Sequence, residues 1–362
     1  KFLEIELRPN IEKWAEEGLV EKGFWEKAGA MGLMGGSVDE TFGGSGGDIS
    51  YDAITAYLQA AKGDAGWGYG IQSIVIHYLN SYGSNEQKAK WLPQLVSGKR
   101  IAALAMTEPN CGSDLQSIKT HAEKDGNQYK INGSKTFITN GGSADLICLA
   151  AKTDPKQGSK GISLLMIETD DLEGFRRGKP LKKVGMKGND TAELFFENVK
   201  IPQTNLLGSE EGKGFYQLMK QLPWERLYIG IAGLGAADCA LEETLKYVKE
   251  RKAFGQRVFD FQNTKFKLAE LKTKTEVTRS FINDCIQKLV AGDLDAATAS
   301  MAKYWGSQIQ GEILDECVQL HGGYGFMAEY PVARMWTDAR VQKIYGGTNE
   351  IMKELIARSL DD

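Results

Sequence analysis

Tyr129-Lys130-Ile131-Asn132-Gly133-Ser134-Lys135 decides how the middle of this chain is read. Its Asn-Gly pair is favoured in tight two-residue turns, where both residues take positive φ, and so predicts a hairpin. Around it lie Leu146-Ile147-Cys148-Leu149-Ala150, Ile162-Ser163-Leu164-Leu165-Met166-Ile167 and Leu194-Phe195-Phe196-Glu197-Asn198-Val199, the last ending before Pro202. Short apolar runs bounded by polar and glycine residues predict several strands in a compact β region, roughly 101–208. No long helical pattern alternates with them, which disfavours a doubly wound parallel sheet.

Outward from this centre the grammar is helical on both sides. Residues 11–30 mix apolar and charged positions without proline. Residues 49–62 place Ile54, Tyr57, Leu58 and Ala61 at the spacing of one helical face. The glycine-rich stretch 32–47 between them matches no phosphate-loop pattern and reads as a surface connection. After Gly214, Phe215, Leu218, Met219 and Leu222 form a stripe that continues past Pro223 through Leu234, Leu241, Leu245 and Val248. Two more long amphipathic stretches, 261–291 and 294–320, suggest an antiparallel bundle. The expectation is an α+β chain of three parts: a helical domain (1–102), a β domain (103–212) and a helical bundle (213–362).

Composition bounds the function. The chain has 362 residues, 42% hydrophobic and 25% charged, with a net charge of -4 and no basic patch. That is ordinary for a globular protein and argues against nucleic acid as a partner. No apolar run approaches the roughly 20 residues that a spanning helix needs. The acidic start, Lys1 to Leu7, lacks signal-peptide grammar. Five scattered cysteines, with no C-x-x-C and no histidine at ligand spacing, predict a reducing compartment without a disulfide framework or structural metal.

Three stretches carry more than structure. Leu104-Ala105-Met106-Thr107-Glu108-Pro109-Asn110-Cys111-Gly112-Ser113-Asp114, with Phe137-Ile138-Thr139-Asn140-Gly141-Gly142, puts small residues and hydroxyls at strand ends. Backbone N–H groups there can approach a flat polar ring, or simply form turns. Arg251-Lys252-Ala253-Phe254-Gly255-Gln256 sets a cation and an aromatic beside a glycine. Such a group can hold a pyrophosphate, although an arginine at a helix C-terminus also suits the dipole alone. Gln319-Leu320-His321-Gly322-Gly323-Tyr324-Gly325 and Ile344-Tyr345-Gly346-Gly347-Thr348-Asn349-Glu350-Ile351 permit close backbone approach and a new helix start, or a glycine cap and a turn.

In this order and at these separations the three stretches resemble the acyl-CoA dehydrogenase family over essentially the whole chain. The resemblance implies a helical domain, a β domain and a four-helix bundle, with FAD as cofactor in a cleft between the last two. It implies Thr107, Phe137 and Thr139 near the flavin ring, Phe137 standing where relatives often carry tryptophan. Arg251, Phe254, Gln262, Gln319 and Gly323 match positions that hold the adenosine pyrophosphate of FAD from a neighbouring subunit. Thr348 and Glu350 match cofactor contacts within the site, and Ser113 a position where flavin and acyl-CoA meet. Arg226, Tyr345 and Gly347 are expected at the substrate. Implied partners are an acyl-CoA substrate, an electron-transfer flavoprotein and further copies of the chain in a homotetramer. The implied location is the cytoplasm of a bacterium or the matrix of a mitochondrion.

One position departs from the family pattern. Most members carry a glutamate just before the Gly-Thr of the C-terminal motif, and here that position is Gly346. In the long-chain and isovaleryl branches the base comes instead from a glutamate preceding an arginine on another helix. Gln221-Leu222-Pro223-Trp224-Glu225-Arg226-Leu227 places Glu225 there. Removing a proton α to a thioester needs a carboxylate against an apolar face, which Leu222, Trp224 and Leu227 offer. The plainer reading of Glu225 is a helix-surface ion pair. By resemblance, the enolate oxygen is met by the Gly346 N–H and a ribityl hydroxyl. The runs at 192–197 and 345–355 are nearest the long-chain branch and favour a medium-to-long or methyl-branched acyl chain. Competing readings are an isovaleryl-type enzyme, a silent acyl-CoA-binding flavoprotein and a flavin oxidase.

Overall fold

The computed structural model describes residues 1–361; Asp362, the last residue of the third expected segment, lies outside them. After short helical turns at Leu3–Leu7 and Arg8–Asn10, the first part holds five α-helices: α1 (Ile11–Glu17), α2 (Lys22–Ala30), α3 (Ser50–Ala60), α4 (Tyr69–Tyr82) and α5 (Asn85–Val96). Gly18, at φ 74°, ends α1 and splits the continuous helix that residues 11–30 suggested. Ser84 and Gln87 close a capping box on α5. Residues 32–47 are mostly irregular, yet Met34 and Val38 are buried within them.

The helix α3 turns the opposite way from its apolar pattern. Ile54 and Leu58 are exposed, whereas Asp52, Ala53, Thr55, Ala56, Gln59 and Ala60 face inward. Small side chains let α3 press against α6, where a Cβ on Gly235 would stand 2.6 Å from the Tyr57 carbonyl oxygen. Asp52, accepting hydrogen bonds from Ser37, Tyr69 and Ser73, is held inward as well.

The middle is one mixed seven-stranded sheet in the order β1-β4-β2-β3-β7-β6, with β5 on the other side of β4. The strands are β1 (Ala102–Ala105), β2 (His121–Asp125), β3 (Gln128–Thr139), β4 (Leu146–Lys152), β5 (Ile162–Glu168), β6 (Phe175–Arg177) and β7 (Thr191–Pro202). The hairpin turn falls at Gly126-Asn127, because Asp125 pairs with Gln128. Asn132-Gly133 is therefore not a turn but a bulge inside β3, where the register against β7 shifts. Gly133 is needed there, since a Cβ would meet Thr120 Oγ1 at 2.4 Å. Asn132 is also tied across the sheet, its Oδ1 accepting from the Asn198 N–H at 2.8 Å.

The third part is α6 (Gly214–Glu250), α7 (Gln262–Ala291), α8 (Ala296–His321), α9 (Pro331–Ala339) and α10 (Asn349–Arg358). The small hairpin β8 (Lys252–Ala253) and β9 (Gln256–Arg257) joins α6 to α7. Glycines bring α6 and α8 together, a Cβ on Gly306 lying 2.6 Å from Gly230 Cα. Pro223 removes one rung of α6, but the helix runs through it for 37 residues. One core joins helical and β parts, containing Trp14, Leu104, Cys148, Trp224 and Leu227 together.

Candidate active site

Glu225 lies just past Pro223 on the buried side of α6, with 6% of its surface exposed. The surface ion pair is ruled out: the residue one turn on is Ile229, also buried. Its Oε1 accepts a hydrogen bond of 2.8 Å from the Tyr78 hydroxyl of α4. Burial pushes the carboxyl up to about 7, against the Tyr78 hydrogen bond and the Arg226 charge, which pull it down. The apolar neighbours expected from sequence are present in Trp224 and Leu227, both buried. Sequence reasoning missed Tyr78, and also Cys148 of β4, close enough for the Glu225 charge to act on its thiol.

Ile229 connects this carboxylate to the C-terminal motif. A Cβ built on Gly346 would fall 2.5 Å from Ile229 Cδ1. Glu225 and Ile229 share one helix face, so Gly346 packs one turn along from the carboxylate. Gly346 sits at φ 63° and Gly347 at φ 88°. Among the described residues the Gly346 N–H has no acceptor. It is a free backbone donor in a loop whose left-handed turns glycine adopts readily.

The following residues are anchored from α8. Thr348 caps α10, its Oγ1 accepting from the Ile351 N–H at 3.2 Å, with Glu350 exposed beside it. Asn349 is buried, and its Oδ1 accepts from Lys303 Nζ at 2.9 Å and from Ser307 at 3.1 Å. Lys303 is fully buried, and burial pushes its ammonium down to about 8. Arg226 is also buried, donating to Ser300 Oγ at 3.2 Å, while its Nε finds no partner. Lys303 gave no sequence signal, standing in an amphipathic helix where lysine usually faces water.

At the sheet edge Thr107 follows β1, its carbonyl accepting from the Thr136 N–H at 2.9 Å. Phe137 occupies the second bulge of β3, at φ 57°, with 69% of its surface exposed; Thr139 ends the same strand. A bulge that aims an aromatic ring outward from a strained backbone leaves a flat apolar surface. Ser113 is exposed in the loop beyond. That loop is held by the buried Glu108–Lys135 pair at 2.9 Å, also unforeseen. Burial works against both charges, yet Lys135 and backbone donors from Lys119 and Thr120 keep Glu108 ionised.

The structure gathers Arg251, Gln319 and Gly323 around one open cavity of about 520 Å³, with Tyr247, His321 and Tyr324. Phe254 stands at the tip of the β8–β9 hairpin, almost wholly exposed at φ 51°, and Gln262 opens α7. His321 is satisfied at the end of α8, bonded to the Cys317 carbonyl oxygen at 2.8 Å and stacked on Tyr247. This cavity is not beside Glu225. Arg251 lies 26 residues further along the same helix, roughly 40 Å at the α-helical rise.

Comparison with known proteins agrees with the fold. Models of the N-terminal, middle and C-terminal domains of acyl-CoA dehydrogenase match residues 1–99, 103–199 and 212–360. The long-chain specific acyl-CoA dehydrogenase of Rattus norvegicus mitochondria is 50% identical over 99% of this chain and 84% of its own length. An acyl-CoA dehydrogenase structure from Geobacillus kaustophilus superposes with TM-score 0.96 at 48% identity, over 100% and 95% of the two chains. A glutaryl-CoA dehydrogenase from Mycobacterium smegmatis in complex with FADH2 does so with TM-score 0.92 at 29% identity, over 99% and 91%. The chain belongs to the acyl-CoA dehydrogenase family, whose members are FAD-dependent oxidoreductases.

Proposed function

We propose that this chain desaturates a medium-to-long or methyl-branched fatty acyl-CoA between Cα and Cβ, giving the trans-2-enoyl-CoA, with Glu225 as the base. The observation that carries this is a buried glutamate held near pKa 7, one helical turn from the side chain that packs on Gly346. At pH 7 such a group is ionised in a large fraction of molecules and accepts a proton readily. Glu225 takes the Cα proton, and the pair from that C–H bond passes into an enolate. The Gly346 N–H meets the thioester oxygen where negative charge develops. Tyr345 and Gly347 shape the substrate side of the loop, and buried Arg226 keeps a positive charge behind the base.

The residues fit FAD. The cavity at Arg251, Gln319 and Gly323 is cationic and glycine-lined, which suits a pyrophosphate. Phe137 and Phe254 present exposed rings from strained backbone, and Thr107, Thr139, Ser113, Thr348 and Glu350 are the candidate polar contacts. Bound FAD supplies an acceptor for the hydride released from Cβ, and an electron-transfer flavoprotein is the proposed onward partner. The apolar walls around Glu225 exclude water from the proton it removes.

The test is anaerobic bleaching of bound flavin by a series of acyl-CoAs, in wild type and in Glu225→Gln. Wild type is expected to bleach, with the most effective chain naming the substrate class. The variant is expected to lose at least about a thousandfold in rate while keeping its flavin. Equal rates would remove Glu225 as the base. No bleaching by any acyl-CoA would leave a silent relative.

A further inference from the structure

Tyr78 belongs to no motif and lies 147 positions from Glu225, yet it is the only residue that hydrogen-bonds its carboxylate among those described. Tyr78 has no exposed surface, and Glu225 almost none. Water therefore competes little for the bond. Burial, reinforced by the Glu225 charge, pushes ionisation of the phenol well above its usual range. Its hydroxyl is a fixed donor at every working pH. Oε1 is thereby occupied, while Oε2 has no partner among the described residues.

We propose that Tyr78 is the positioning residue for the base: its hydroxyl fixes the Glu225 carboxylate through Oε1, presents Oε2 to the Cα proton, and favours the ionised form that accepts it. This rests on the reading of Glu225 as the base. In the step itself Oε2 gains the proton and the C–H pair stays on the substrate. Tyr78 keeps its own proton throughout, and its bond weakens as the carboxylate is neutralised.

The other groups around Glu225 cannot take this role. On α4, His77 packs against Trp224 with ring centres 5.5 Å apart and planes tilted by 60°, and its Nε2 lies 3.4 Å from Asp52 rather than at the carboxylate. On β4, Cys148 is kept a neutral thiol by burial first and by Glu225 second. On α6, Arg226 acts through its charge but donates to Ser300, and on α8 Lys303 donates to Asn349. Tyr78 alone can be removed as a donor without changing the net charge of the site.

The experiment follows the pH dependence of the limiting rate of flavin reduction in the holoenzyme, for wild type, Tyr78→Phe and Glu225→Gln. A donor to the ionised form lowers its pKa, so Tyr78→Phe should raise the apparent pKa of the base by about one unit. The variant should reduce flavin about tenfold more slowly at pH 6 and come within about threefold of wild type by pH 9, with KM changed less than about twofold. The infrared band of the protonated Glu225 carboxyl, assigned by its absence in Glu225→Gln, should titrate at correspondingly higher pH. Tyr78→3-fluorotyrosine, a stronger donor that keeps the packing, should move both midpoints downward. If Glu225→Gln is inactive but neither midpoint moves in the two Tyr78 variants, this proposal is overturned and the base assignment stands. If Glu225→Gln reduces flavin at the wild-type rate, the base assignment itself falls.

Discussion

A carboxyl held near pKa 7 destabilises the protein whenever it is ionised, so the site carries a thermodynamic signature independent of turnover. The ordinary glutamate value is 4.5, and burial raises that of Glu225 to about 7. Between these values the unfolded chain has released its proton and the folded chain still holds it. The unfolded state then binds fewer protons, so stability falls as pH rises from 4.5 to 7 and stays lower above. Glu225→Gln should accordingly be more stable than wild type at pH 8, by on the order of 2–3 kcal/mol, and gain little at pH 4. Urea unfolding at the two pH values checks this, and an equal gain at both would mean that the carboxyl does not titrate as described. At this scale the candidate Glu225 could be named by resemblance because the pattern around it is local, a glutamate before an arginine just past Pro223 within α6. Tyr78, Lys303 and the Glu108–Lys135 pair were not. Each acts across tens of residues, and sequence spacing carries no information about which side chains meet.

Among elements, the three-part order was legible because helical and strand periods differ in kind. Orientation was less so. The apolar residues of α3 face outward because helix–helix contact rewards close approach of small side chains, and Ala56 and Ala60 supply it on the opposite face. The Asn-Gly of β3 became a bulge because its partners across the sheet, Thr120 and Asn198, outweigh a local turn preference. The contact of α6 with the loop before α10 makes a prediction of its own. Gly346→Ala adds a methyl in left-handed backbone, expected to cost about 1–2 kcal/mol, and pushes it against Ile229 Cδ1. Ile229→Val removes that δ-methyl and should cost about 1 kcal/mol alone. The double variant should then be less destabilised than the sum by about 0.5–1 kcal/mol, the steric part relieved and the backbone strain retained. Strict additivity in denaturant unfolding would mean that the loop moves off the helix instead, and would break the proposed link between Gly346 and Glu225.

For the molecule as a whole, the candidate base and the candidate pyrophosphate-binding residues stand at opposite ends of one stretch of α6. Arg251, Gln319 and Gly323 line a cavity roughly 40 Å along α6 from Glu225, beyond the reach of a single dinucleotide. We propose that a second copy brings its cavity to this chain's sheet edge. The surface near that cavity favours this: Phe254, three residues past Arg251, is 96% exposed, and Phe326, between the cavity residues Tyr324 and Met327, is 78% exposed. Phe254 is held there by a two-residue hairpin whose both turn residues have positive φ, so its exposure is built into the backbone. An aromatic at such a tip is a candidate anchor at an interface centre. Phe254→Ser should therefore lower flavin content and apparent mass in sedimentation together, with the oligomer weakened about tenfold to a hundredfold in dissociation constant. Arg251→Ala should lower flavin content first, since a guanidinium over a pyrophosphate acts through the ligand more than through protein contact. Unchanged mass and unchanged flavin in Phe254→Ser would show that this face meets no second copy. In that case the distance along α6 would have to be bridged by a ligand of another kind.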